Sequence, residues 1–178
     1  MNNLDIQYIN LCKSILDNGN IKDDRTGTGT ISTFGNFLDI DILNSGFPLL
    51  TTKKMAFKQI ASELIWFLKG DTNIRYLLEN RNYIWVGDAY KNYCKKCGEP
   101  VSRGEFIQLI ISDDEFSQKW GELGPIYGFN WRNFGGKYDQ IQEVLNLLTN
   151  NRDSRRILVN AWDPNALAES ILPPCHVM

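Results

Sequence analysis

Leu4, Tyr8, Leu11, Cys12 and Ile15 recur at three- and four-residue spacing ahead of Asp17-Asn-Gly-Asn20, which predicts an amphipathic helix closed by a turn. The period then changes. Leu38, Ile40 and Ile42 alternate with Phe37, Asp39 and Asp41 up to Asn44-Ser-Gly46, the pattern of a half-buried strand. From Met55 to Leu68 the positions Ile60, Ala61, Leu64, Ile65 and Leu68 give the strongest helical stripe in the chain, with Gly70 as its stop. Asp71 or Thr72 is placed to cap a shorter helix carrying Ile74, Leu77 and Leu78, and Ile141, Val144, Leu145 and Leu148 mark another. Ile157-Leu-Val-Asn-Ala-Trp162 reads as a second strand. Helical segments mixed with two separated strand regions predict an α+β domain spanning residues 1–178, with 86–120, rich in charge and glycine, as an insertion within it.

Nineteen basic against 21 acidic residues leave a net charge of −2, which argues against bulk attraction to nucleic acid or an anionic membrane. The first residues lack the basic and apolar regions of a leader, and no apolar run approaches the roughly 20 residues of a membrane span. A cytoplasmic location is the expectation, and with it reduced thiols at Cys12, Cys94, Cys97 and Cys175.

Chemistry concentrates at the C-terminal end, where Cys175 stands beside His176, the one histidine of the chain. A thiol next to a base is a nucleophile candidate, and Pro173 and Pro174 would present it on stiff, extended backbone. Extended geometry turns neighbouring side chains to opposite sides, so His176 is not expected to act directly on the Cys175 thiol. Arg25-Thr-Gly-Thr-Gly-Thr30 lacks the Lys-Ser/Thr ending of a P-loop and leads into strand, so it reads as a glycine turn with an arginine able to hold a phosphate. Arg155 and Arg156 follow Ser154 at the mouth of an apolar segment, where an anion-binding pair and a solvated strand end are equally supported; on regular strand they would face opposite ways. Glu63, inside the apolar helix, is either partly buried, and costly unless paired, or at the helix edge in water. Trp85, Trp120, Trp131 and Trp162 read first as core or interface residues. Cys94-Lys-Lys-Cys97 offers half of a zinc-ligand set with no second pair, so no metal is expected.

Taken in order, Arg25-Thr-Gly-Thr-Gly-Thr30, Gly46-Phe-Pro-Leu-Leu-Thr-Thr-Lys53, the run from Glu63 to Ile74, Ile84-Trp85, Leu123-Gly-Pro-Ile-Tyr-Gly128, Asp153-Ser-Arg-Arg156 and Leu172-Pro-Pro-Cys-His176 resemble the motifs of thymidylate synthases. The resemblance implies a mixed sheet packed by helices. It implies Cys175 as the nucleophile that adds to C6 of deoxyuridylate (dUMP), activated by neighbouring arginines, with Tyr127 near it. Glu63 would organise water and proton transfers around the pyrimidine and the folate, and Glu63 and Trp85 would be the folate-binding residues. Arg25 would bind the nucleotide phosphate, and Arg155 and Arg156 would reach the phosphate in the neighbouring subunit of a homodimer. The implied co-substrate is 5,10-methylenetetrahydrofolate, which supplies both carbon and hydride.

Departures accompany the match. After Trp85 the chain reads Val-Gly-Asp-Ala-Tyr90 where the family has acidic residues and a second tryptophan, so Tyr90 is a substitute candidate for that folate contact, and Ala56 stands where many members carry a folate-contacting histidine. Family members also continue past the nucleophile, with strands that bind phosphate, folate, base and sugar. On this reading residues 1–178 form an incomplete fold with little or no synthase activity alone. The alternatives are a dUMP or dCMP hydroxymethylase of the same family, and a non-catalytic fragment or assembly partner.

Overall fold

The computed structural model describes residues 2–23, 27–172 and 174–175. They divide into two compact units, residues 1–56 and 57–178.

In the first unit, α1 (Asn3–Asn18) forms where the apolar stripe predicts it. Asn2 caps it through a reciprocal arrangement, its side chain accepting from the Asp5 amide while the Asp5 carboxylate accepts from the Asn2 amide. A two-stranded antiparallel ribbon follows, β1 (Asn20–Lys22) paired with β2 (Thr30–Ser32) in the register Asn20↔Ser32, Ile21↔Ile31, Lys22↔Thr30. The glycine-rich turn therefore does lead into strand; Arg25 lies outside the described residues. The predicted strand over 37–42 is not formed. Residues 37–41 run without regular structure, and α2 (Ile42–Ser45) begins where Asp41 accepts from the Asn44 amide. A local side-chain cap outcompetes the ladder, a choice open to Asp and Asn in short apolar stretches.

Asp5 is fully buried and holds the segment after α2. It accepts from the Thr51 amide at 2.8 Å and from the Thr51 hydroxyl. Those two bonds, the hydroxyl first, lower its pKa. A depressed folded-state value means that the Asp5 contribution is complete above the unfolded carboxylate pKa, about 3.9, and fades as pH falls through the folded value. Protection of the Thr51 amide from hydrogen exchange should hold steady above about pH 5 and decline below about pH 4. Constant protection down to about pH 3 would show that Thr51 is held by something else.

The second unit is helical: α3 (Phe57–Leu68), α4 (Arg75–Glu79), α5 (Val86–Lys96), α6 (Arg103–Ser112), α7 (Asp114–Trp120), α8 (Tyr127–Asn133), α9 (Gln140–Asn150) and a 3-10 turn over Ala166–Ala168. Helices with a small antiparallel sheet make the chain α+β, as predicted. Gly70 ends α3 at φ +72°. The cap of α4 differs from expectation: helix starts after Ile74, while Asp71 Oδ1 accepts from the Asn73 amide and Asn73 Oδ1 from the Arg75 amide. Two successive Asx turns occupy the residues that the sequence offers as a cap. Residues 86–120 fold as α5–α7, and Tyr93, Phe106 and Ile110 from them join Trp66, Ile74, Leu77 and Trp85 in one core. A second, smaller cluster holds Trp131, Val159 and Ala161, and Phe67 and Tyr127 pack against both. Among the described residues no helix is long and apolar enough to cross a membrane.

Residues 157–162 alternate in burial as a strand would, with Val159 and Ala161 inside and Leu158 and Trp162 outside, yet they do not form one of the regular strands. Side chains take up much of the backbone instead. Gln140 donates to Asn160 O at 2.8 Å and accepts from Asn160 N, and Asn130 Nδ2 donates to Ala161 O at 2.7 Å.

Candidate active site

Four helical-unit elements bring the candidate residues together. Glu63 sits on α3, partly buried, and accepts from Trp85 Nε1 at 2.7 Å. Trp85 immediately precedes α5 and is 7% exposed, so its indole N–H has been withdrawn from water and the carboxylate supplies its partner. This settles the Glu63 alternatives in favour of a paired, partly buried acid. The segment delivering Trp85 is itself tied to α3. Buried Asn82 donates to Gln59 O and Ser62 Oγ and accepts from the Ile84 amide.

Tyr127 opens α8. Its ring lies 6.4 Å from Trp85 and 5.2 Å from Phe67, and its hydroxyl lies 3.5 Å from Cys175 Sγ. Burial, then the hydrogen bond with the thiol, pushes the Tyr127 phenol pKa up, so the hydroxyl keeps its proton through the neutral range. Cys175 is exposed and Pro174 before it is buried. The thiol is thus exposed directly after a buried residue, and Pro173, the first of the paired prolines, lies outside the described residues. His176 lies outside the described residues.

The glycines of Leu123-Gly-Pro-Ile-Tyr-Gly128 explain how these parts meet. Gly124 has φ +80°, and a Cβ there would sit 2.9 Å from Glu169 O, so the segment leading to Cys175 rests directly on its backbone. Ile171 N donates to Leu123 O and Ser170 Oγ to Pro125 O, fastening the same contact. Gly128 lets α8 touch α3: a Cβ there would meet Asp71 O and Phe67 O at 3.0 Å and Phe67 Cα at 3.1 Å. Backbone cannot swing aside as a side-chain tip can. Gly128→Ala is therefore expected to destabilise the helical unit by about 1–3 kcal/mol, read from denaturant midpoints. An unchanged midpoint would mean that the helices separate at no cost.

Arg155 and Arg156 are exposed and lie in a turn, Arg156 N donating to Ser154 Oγ. The regular strand that would send them to opposite faces is absent. Among the described residues no hydrogen bond or ion pair joins either to Glu63, Trp85, Tyr127 or Cys175. Tyr90 packs its ring on Tyr93 and Phe106, and its hydroxyl donates to Val101 O. Trp131 is buried, and Trp162 is 46% exposed. Among the described residues no group of three or more His, Cys, Asp or Glu is arranged to hold a metal ion. Sequence reading missed Asn82 and Phe67; an asparagine just before an Ile-Trp pair and an aromatic one turn after Glu63 are weak signals taken singly.

The thymidylate synthase family model matches residues 6–178. The chain belongs to the thymidylate synthase family. It is 50% identical over 172 residues to the thymidylate synthase of Phytoplasma mali (strain AT), a stretch covering 96% of this chain and 59% of that protein. Over 171 residues it is 49% identical to the thymidylate synthase of Mycoplasma mobile, and over 172 residues 48% identical to that of Mesoplasma florum, with the same two shares. The chain thus spans 59% of the length of these relatives. Within the matched residues, Glu63 and Trp85 meet through one hydrogen bond, and Tyr127 and Cys175 through another.

Proposed function

We propose that this chain carries the nucleophile-bearing part of a site that methylates dUMP to dTMP, with 5,10-methylenetetrahydrofolate as the second substrate. The observation that carries the reading is the exposed Cys175 thiol held against Tyr127, beside the Trp85–Glu63 pair. In the proposed reaction the thiolate adds to C6 of the pyrimidine, and C5 becomes enolate-like and attacks the one-carbon unit. Loss of the C5 proton, hydride transfer from the reduced folate and expulsion of the thiolate complete the methyl group. Covalent addition replaces one substitution at an unactivated vinylic carbon by several easier steps.

Glu63 has one carboxylate oxygen on the Trp85 N–H, which fixes its orientation and leaves the other for water and proton transfer. Trp85, held by Glu63, is the proposed folate contact, while the phenol of Tyr127, protonated at neutral pH, can donate near Sγ and C5. Arg25, Arg155 and Arg156 are proposed as phosphate ligands, the latter two across a homodimer interface, for which their exposure on a turn is suited. A cytoplasmic setting follows from the same reading.

The relatives carry further chain that these residues do not match. Residues 1–178 assayed alone are therefore expected to make little dTMP, because positioning groups carry much of the rate. The test pairs this polypeptide with a chimera in which the unmatched remainder of the Phytoplasma mali protein follows it. Each is incubated with 5-fluoro-deoxyuridylate and methylenetetrahydrofolate and examined by intact mass and peptide mapping. The chimera should form a ternary adduct on Cys175. A folded chimera without adduct overturns the function; with dUMP in place of the fluoro analogue, dTMP formation by residues 1–178 alone equal to that of the chimera overturns the deficiency.

A further inference from the structure

Cys94 and Cys97 are not used by the site described above. Both are partly buried free thiols, one turn apart at the C-terminal end of α5, with Cys97 as the capping residue in right-handed helical conformation. Helix geometry places Cα atoms three residues apart at about 5 Å, inside the roughly 4.4–6.8 Å range that a disulfide spans, and their Cβ atoms at about 5–6 Å, beyond the roughly 3.5–4.5 Å of a disulfide, so closing the bond requires Cys97, the residue at the helix end, to move toward Cys94. Side chains at that spacing share one face. The face is well defined here, since both cysteines pack against the aromatic core, each one turn after a hydroxyl-bearing side chain of the same helix, Cys94 after Tyr90 and Cys97 after Tyr93. The same two hydroxyls bind the backbone of Val101, Tyr90 donating to its carbonyl at 2.9 Å and Tyr93 accepting from its amide at 3.3 Å. The loop after the helix is thereby held from the tyrosines rather than from the sulfurs. Apart from the Cys97 thiol donating to Glu99 O at 3.5 Å, the sulfurs can leave their contacts without releasing that loop.

We propose that Cys94 and Cys97 form a reversible disulfide, a dithiol site for exchange with small anionic disulfides such as glutathione disulfide. Lys95 and Lys96, both exposed in the last turn of the same helix, add positive charge near the pair that attracts the carboxylates of that oxidant. One cysteine thiolate attacks a glutathione sulfur and releases the first glutathione thiolate. The neighbouring thiolate then attacks the mixed disulfide at the protein sulfur and releases the second. Two protons leave the protein, and its two electrons pass to the glutathione disulfide. Neither arginine placement nor nucleotide chemistry enters, so the inference stands apart from the proposed synthase function.

The test is a titration of the reduced 178-residue chain with glutathione disulfide, acid quench, alkylation and peptide mapping. Half-conversion of the 94–97 peptide to a form two hydrogens lighter should need at least about tenfold less oxidant than half-modification of Cys12, because the second step is intramolecular. Dithiothreitol should restore both thiols. Cys97→Ser should leave Cys94 carrying a single glutathione that is not resolved, a result independent of any change in folding, which circular dichroism monitors. Two thiols that stay alkylatable, or two separate glutathione adducts on Cys94 and Cys97, would overturn the proposal.

Discussion

Replacing Cys175 by serine is expected to abolish the covalent nucleotide adduct in the chimera and to lower turnover by on the order of 10⁴–10⁶, the scale seen when a covalent nucleophile is removed. Serine is nearly the same size, and the position is exposed, so the fold should be unaffected. Sulfur matters here because a thiolate is accessible near neutral pH and an alkoxide is not. The Tyr127 hydroxyl lies 3.5 Å from Sγ, a contact that suits sulfur and is long for two oxygens, so the mapped adduct rather than turnover alone decides the role of the sulfur. Adduct mapped to another residue in the serine variant would remove Cys175 from the mechanism.

Glu63→Gln separates structure from chemistry at the second position. The amide oxygen of glutamine can still accept from Trp85 Nε1, so the bond that positions the indole survives and the melting temperature should change little. What is lost is the capacity to exchange a proton, and turnover in the chimera should fall about 10²- to 10⁴-fold. Glu63→Ala differs in kind: it leaves a nearly buried indole N–H without its acceptor and should cost about 1–3 kcal/mol. Near-normal turnover by Glu63→Gln would limit Glu63 to holding Trp85.

These two residues were legible in the sequence for different reasons. Cys175 stood out through a local signal, a thiol behind two prolines, and the buried Pro174 accounts for it. Glu63 was ambiguous by itself, because one carboxylate on an apolar helix is compatible with core or with solvent. Its resolution needed Trp85, which is 22 residues away in sequence and arrives at hydrogen-bonding distance only through the turn fixed by Asn82. Arg155 and Arg156 were ambiguous on the assumption of regular strand, and the turn removes that assumption.

What the sequence by itself determined is three of the long helices, while α5 and α6, of similar length, lie in the stretch that reads only as an insertion. α1, α3 and α9 occupy the stripes that predict them, because over ten or more residues an apolar period of 3.6 leaves few competing folds. It also determined the order of motifs by which the family is recognised, and that match covers residues 6–178. Tertiary structure alone decided the fate of the short apolar runs. Residues 37–42, which alternate, and 157–162, a nearly continuous apolar run, both read as short strands, yet the first yields to the Asp41 cap and the second is bonded by the side chains of Asn130 and Gln140. A five- or six-residue pattern is worth little free energy against a side chain that satisfies the same backbone groups, so its outcome depends on which neighbours the rest of the chain delivers. The meeting of Cys175 with Tyr127 was decided in the same way. It rests on the close approach that Gly124 allows between segments some 45 residues apart, as the Ser170–Pro125 hydrogen bond measures.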